Sequence, residues 1–127
     1  MSDGLMQVEL VAADRLVWSG RAKMVIARTA EGDVGILPGH APMLGQLADG
    51  GTVRILQAGG SEVRAAVHGG FLSVTEQGLT VLAEVAELAD DIDQGRARTA
   101  LERARSAGDD AAARRAESRL RAAGSPV

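Results

Sequence analysis

Apolar and polar residues alternate with a period of two along Met6–Val11, and the alternation returns in short runs as far as Ala86. Leu16–Trp18 follows a turn containing Asp14, and Ala22–Thr29 puts Met24 and Ile26 on one face with Lys23 and Val25 on the other. Thr52–Gln57 is turned by Gly59-Gly60 into Glu62–Val67. Gly69-Gly70 leads into Phe71–Thr75, and Glu76-Gln77-Gly78 closes a hairpin onto Leu79–Val85. Strands separated by turn signals every 8 to 12 residues or so are the rhythm of a sandwich or barrel. No helical period is sustained in this half, so a compact antiparallel β-sandwich is expected over residues 1–87.

One stretch interrupts the rhythm. Glu31-Gly32-Asp33 breaks the alternation and opens GDVGILPGHAP, residues 32–42, whose two prolines fix φ and whose three glycines permit φ > 0. The segment is expected to be a stiff surface loop, with Ile36, Leu37 and Met43 close together as a docking surface. A sharp corner between strands is the plainer reading of the same residues.

The period changes after Glu87. Asp90 or Asp91 can cap a helix, and the acidic residues around them favour the positive end of its dipole. Ala97, Ala100, Leu101 and Ala104 then form a thin apolar stripe, with Arg98, Glu102 and Arg105 opposite it. Gly108 ends this helix, Asp109 or Asp110 caps a second with the stripe Ala113, Ala116, Leu120 and Ala123, and Gly124-Ser125-Pro126 stops it. Residues 88–127 are therefore expected to be an antiparallel two-helix hairpin. Each stripe holds a single leucine, so mutual burial barely offsets the entropy of ordering the segment. Such an element is open to being shifted by a ligand or partner; the plain alternatives are that it folds down on the sandwich for good or frays.

Composition removes whole classes of function. With 127 residues the chain suits one domain and an appendage, and it has no cysteine for a disulfide framework, a Cys-ligated zinc or thiol catalysis. No apolar run approaches the roughly 18 residues of a membrane span and no secretory leader is legible, so a cytoplasmic location is expected. One Phe, one Trp and no Tyr leave little to stack on bases, and a net charge of −3 repels phosphate backbones, so nucleic acid is not an expected partner. The charge is unevenly placed: residues 1–88 carry six basic and ten acidic side chains, whereas residues 95–127 carry eight arginines and four acids.

Catalytic chemistry has no visible constellation. There is no Walker-type phosphate loop, no Ser/His/Asp set and no metal-ligand spacing, and His40 and His68 lie too far apart to make a metal site. His40, between Pro38 and Pro42, reads as an interface residue or a satisfied turn histidine, and His68 as an edge or interface residue. Asp93 and Arg96 suit an i, i+3 surface pair, and Arg103 a solvated face.

Taken in order, VELVAADRLVWSG, GDVGILPGHAPML, HGGFLSV, GLTVLAE and IDQGRA span nearly the whole chain, and together they resemble the epsilon subunit of bacterial F-type ATP synthases. The resemblance implies a ten-stranded sandwich that binds the gamma subunit and the c-ring, and a regulatory helix hairpin. It also implies a central-stalk rotor subunit that catalyses nothing itself, is peripheral to the cytoplasmic face of the plasma membrane, and couples c-ring rotation to ATP synthesis. Asp33 and His40 match the family's c-ring contacts, stiffened by Pro38 and Pro42. Ile92, Asp93, Arg96 and Ala97 match its nucleotide-binding pattern, and Glu87 and Arg103 fall where ATP-binding members carry Glu and Arg. No cofactor is required; ATP with magnesium would be a regulatory ligand that holds the hairpin folded. Arg115 and Arg119 share a face and would complete a phosphate clamp, although Gly95 weakens the helix that carries the site by about 1 kcal/mol relative to alanine. In the extended state, Arg98, Arg105, Arg114, Arg115, Arg119 and Arg121 would be drawn to the beta and alpha subunits and inhibit hydrolysis. A free-standing nucleotide-sensing module of the same shape is the alternative.

Overall fold

The computed structural model describes residues 4–124. Within them ten strands precede two helices: β1 (Met6–Ala12), β2 (Arg15–Ala22), β3 (Met24–Thr29), β4 (Gly32–Ile36), β5 (Met43–Gln46), β6 (Gly51–Leu56), β7 (Glu62–His68), β8 (Phe71–Thr75), β9 (Gly78–Leu82), β10 (Val85–Leu88), α1 (Gln94–Ala107) and α2 (Asp110–Ala122). The strands form two five-stranded sheets, β2-β1-β9-β8-β5 (sheet A) and β10-β7-β6-β3-β4 (sheet B). Alternate residues of the facing strands, such as Val8 and Leu10 of β1, Val53 and Ile55 of β6 and Leu72 of β8, enclose a single apolar core between the sheets.

One pair breaks the antiparallel rule. β1 runs parallel to β9, with Val8–Val11 in register with Leu79–Leu82. Parallel strands need a long crossover, and here the seven intervening strands supply it.

The expected strands differ from the observed ones in four places. Gly32–Ile36 is not loop but β4, paired with β3 from Thr29↔Gly32 to Val25↔Ile36, so the proline loop shrinks to Leu37–Pro42. The short strand β5 was hidden by the prolines before it, yet pairs with β8. Ala22–Thr29 divides at Lys23: Ala22 closes β2 in the core, and in β3 Val25 and Ala27 are buried while Met24 and Ile26 are half-buried. Leu79–Val85 is likewise two strands, because after Leu82 the chain crosses at Ala83 and Glu84 to the other sheet as β10. The apolar letters continue through that crossing, so a pattern of hydrophobicity alone does not mark it.

The glycines and apolar residues of the expected loop also separate. Gly32 and Gly39 have φ of 123° and 82°, whereas Gly35 has no positive φ and instead admits the Met24 methyl, which would stand only 2.8 Å from a Cβ there. Ile36 is fully buried in the core and Met43 packs against it, so neither belongs to a docking surface; Leu37 remains exposed.

A single 3-10 turn, Ala89–Asp91, precedes α1, and the cap of α1 is Asp93 rather than Asp90 or Asp91: its Oδ1 accepts from the Arg96 N–H at 3.0 Å. Asp109 caps α2 in the same way through the Ala112 N–H, and Gly108 at φ 70° ends α1. The helices meet through Ala97, Leu101, Ala116 and Leu120, with Ala100 and Ala113 at the margin. Ala123 lies at the C-cap of α2, next to Ala66, Ile92 and Ala122, and Gly124 follows at φ 83°; Ser125 and Pro126 lie outside the described residues.

The hairpin lies down on sheet B. Its second helix covers β6 and β7, where the Ser118 hydroxyl donates to the Gly51 carbonyl at 2.6 Å and Ala122 packs on Ala66 and Ile92. A Cβ on Gly50 would sit 2.7 Å from the Arg114 carbonyl oxygen, so glycine at this φ of 73° admits the helix backbone. Ser118 and Ala122 lie outside the predicted stripe, because that stripe describes the contact with α1 and not the second contact with the sandwich.

Candidate functional site

Three surfaces have distinct chemistry. The first is a hollow of about 870 Å³ where the start of α1 meets β10 and α2. Glu87, Asp93, Arg96, Ala97 and Arg103 all line it, so these expected nucleotide residues are brought together. Ile92 is not among its lining residues; it is buried against Ala66 and Ala122 and anchors the helix start instead. Asp91 and Arg119 join the hollow. Three guanidinium groups and three carboxylates therefore converge in it, which suits phosphate oxygens on one side and adenine or ribose donors on the other. One oxygen of Asp93 is already taken by the helix cap. Among the described residues, no group of three His, Cys, Asp or Glu side chains is placed to hold a metal ion.

Arg115 and Arg119, expected to act together, part company. Arg119 reaches into the hollow and stands 3.9 Å from Glu87, whereas Arg115 turns to Asp49 at 3.8 Å. Arg105 and Arg121 both approach Glu117, at 3.9 and 3.8 Å, and Arg114 lines a groove with Arg28, Asp33 and Asp49. In the folded-down hairpin, four of the six arginines assigned to inhibition are thus already beside a carboxylate, through long contacts worth at most about 1 kcal/mol each.

The second surface is the proline loop. Pro38, His40 and Pro42 line a hollow between the loop, the start of β1 and the β8–β9 turn. His40 is exposed, its backbone N–H donates to the Leu37 carbonyl, and its Nδ1–H donates to the Ala41 carbonyl at 2.7 Å, which leaves Nε2 for a partner. Asp33 is elsewhere: it sits in β4, where it accepts from the Arg28 Nε at 2.8 Å, toward the end of the strand away from the loop.

The third surface was not anticipated from the sequence. Register carries one row straight across the outer face of sheet A: Leu16 opposite Val11, Val11 opposite Leu82, Leu82 opposite Phe71, and Phe71 opposite Gln46. Leu16, Leu82 and Phe71 are exposed, and Leu44 on β5 is 72% exposed beside them. The signal was present as Phe71-Leu72, two large apolar residues in succession, one of which must face outward in a strand.

The fold and these surfaces define a class: a β-sandwich with a folded-down helix pair and an exposed apolar row on one sheet. Residues 5–89 match the family described as the ATP synthase, Delta/Epsilon chain, beta-sandwich domain. The chain is 57% identical to the ATP synthase epsilon chain of Streptomyces avermitilis over 92% of its own length and 94% of that chain. It is 58% identical to the Streptomyces griseus epsilon chain over the same shares. Among solved structures it resembles a chain of the Euglena gracilis mitochondrial ATP synthase, from the cryo-EM structure of OSCP/F1/c-ring in rotational state 1. That match has a TM-score of 0.73 and 26% identity, and covers 94% of this chain and 78% of that one. The chain belongs to the ATP synthase epsilon chains, and it is a subunit of that complex.

Proposed function

We propose that this chain is a non-catalytic rotor subunit of the central stalk, at the cytoplasmic face of the bacterial plasma membrane, passing c-ring rotation toward the catalytic head during ATP synthesis. The observation that carries this reading is the uncovered apolar row across sheet A. Leucines and a phenylalanine aligned in one row are costly to leave in water and suit a permanent partner, for which the gamma subunit is the candidate. The stiff Leu37–Pro42 loop, with Asp33 further along the same sheet edge, would bear on the c-ring. The test is co-purification of the full chain with gamma: wild type is expected to elute with gamma and Leu82→Glu to elute without it. Wild type eluting alone would overturn this reading in favour of a free-standing nucleotide sensor.

The regulatory half of the proposal concerns residues 88–127. MgATP would bind where Arg96, Arg103 and Arg119 converge and so tie α1 to α2, and extension of the freed hairpin would carry its arginines to the beta and alpha subunits. The convergence of Arg119 with the first-helix arginines favours nucleotide over a plain surface ion pair. Isothermal titration with MgATP is expected to show binding that Arg119→Gln weakens; no heat at millimolar nucleotide would overturn the claim. Deleting residues 89–127 should raise hydrolysis by the assembled complex, and unchanged hydrolysis would count against inhibition.

A further inference from the structure

The outer face of β7 reads Glu62, Arg64, Ala66, His68, and α2 lies across its second half. His68 is 5% exposed in that seam, and among the described residues neither of its ring nitrogens has a hydrogen-bond partner. A buried imidazole without a side-chain partner favours its neutral form, because a charge there would lose its water and gain only the pull of Asp49 and of the Val67 backbone. The groups around it reinforce this. Arg115 and Arg119 face it from α2, and Asp49 faces it from the turn before β6. From β10 comes Glu87, two places along from Val85, the residue paired with His68, while Glu84 packs on the neighbouring Gly69. Asp90 and Asp91 of the 3-10 turn are exposed.

We propose that the seam between α2 and sheet B is a proton-sensitive latch, in which protonation of His68 releases the helix hairpin from the sandwich. The two arginines on α2 are each drawn to a sandwich carboxylate, Arg115 to Asp49 and Arg119 to Glu87. A positive ring between these pairs repels both guanidinium groups and competes for both carboxylates, and all of that force acts on α2. In the undocked state the ring regains water and the repulsion is gone.

The sign and window follow from linkage. Burial first, and then Arg119, hold the docked ring below its ordinary 6.5, at about 4; Asp49 acts the other way. A depressed value in the docked state means that docking is fully favoured above pH 6.5 and is lost progressively as pH falls toward 4. Between pH 7.5 and 5.5 the opening equilibrium should shift about tenfold toward the released hairpin.

The test is amide hydrogen exchange of the full chain followed by NMR, corrected for the intrinsic pH dependence of exchange. Protection of the α2 amides around Ser118–Leu120 is expected to fall about tenfold from pH 7.5 to 5.5, with β1 amides unchanged, and His68→Gln should abolish that fall. Equal protection at both values, or the same fall in His68→Gln, would overturn the latch. Should that variant fail to dock at pH 7.5, the wild-type ring decides. The chain has two histidines, so His40→Gln isolates the His68 resonances. A ring that stays neutral through pH 5.5 while α2 is protected supports the proposal; one that titrates near 6.5 with α2 still protected overturns it. The outcome is separable from the stalk role, since a chain unable to bind gamma would still show it.

Discussion

Between the two sheets the contacts are made by Leu10, Ile55, Leu72, Val53 and Val81, all fully enclosed, whereas between the two helices they are made by Ala97, Leu101, Ala116 and Leu120. The first set brings branched side chains from strands far apart in sequence, and each strand is held by backbone ladders on one or both sides. The second brings one leucine per helix, and alanine removes far less apolar surface than leucine. What remains for the hairpin is its seat on sheet B: a buried hydroxyl, a small alanine cluster with Ile92, and two long ion pairs, Arg115 with Asp49 and Arg119 with Glu87. The contrast teaches where the molecule can move without unfolding, because opening free energies follow the density of buried apolar contact. A chain built this way joins a densely packed platform to a thinly packed arm.

Truncation in the platform should give the largest effect. Leu10→Ala leaves a hole among residues that cannot close around it and should cost about 2–5 kcal/mol of global stability, read from urea unfolding by the fluorescence of Trp18, which packs against the core. The corresponding change in the arm, Leu120→Ala, should lose about 2–3 kcal/mol from hairpin order alone. Helical circular dichroism should melt early while the Trp18 midpoint holds. If both variants shift both signals together, platform and arm are one cooperative unit and the contrast fails. A smaller effect is expected from Ser118→Ala, which strips the bond to the Gly51 carbonyl. The loss of about 1–2 kcal/mol should speed α2 amide exchange roughly five- to thirtyfold without touching the sheets.

The same contrast explains what could be read in the sequence. The sandwich was legible because alternation reports directly on a half-buried strand, and the hairpin because Asp109, Gly108 and the alanine stripes are local signals. β4 and β5 were not, since glycines and prolines that usually mark loops here sit within or beside edge strands, and edges tolerate them. The crossing at Ala83 was not, because both sheets bury apolar residues and the pattern continues across the jump. At the hollow between α1, β10 and α2, Glu87, Asp93, Arg96 and Arg103 belong to one short stretch and were found together, while Arg119 was coupled to Arg115 by their shared helix face and only the packing of α2, which no local pattern encodes, separates the two. That the hairpin could fold down on the sandwich was one of the readings, but the residues that seat it were missed for the same reason: Ser118 reads as a surface residue until Gly51 is placed beneath it.

The smallest effect should come from the wet half of β7's outer face. Glu62 accepts from Arg54 at 2.8 Å and from the Arg64 Nε at 2.7 Å, and these hydrogen bonds and charges, Arg54 first, hold its carboxyl below the usual range. A carboxylate with a lowered folded value contributes stability above its ordinary range and loses that contribution as pH falls through the lowered one. Glu62→Gln should therefore cost only about 0.2–1 kcal/mol at pH 7, because both arginines are largely exposed and screened, and progressively less as pH falls below the ordinary carboxylate range. Four residues further along the same face, at Ala66, the solvent is gone, and at His68 the expected pH dependence concerns hairpin release rather than global stability. Comparing the two variants on one pH axis separates the regions. A global unfolding curve should register Glu62→Gln and be blind to His68→Gln between pH 5.5 and 7.5, whereas α2 exchange should do the reverse. If α2 exchange followed Glu62 as closely as His68, the boundary between platform and arm would lie along β7 itself and not at the foot of the helix.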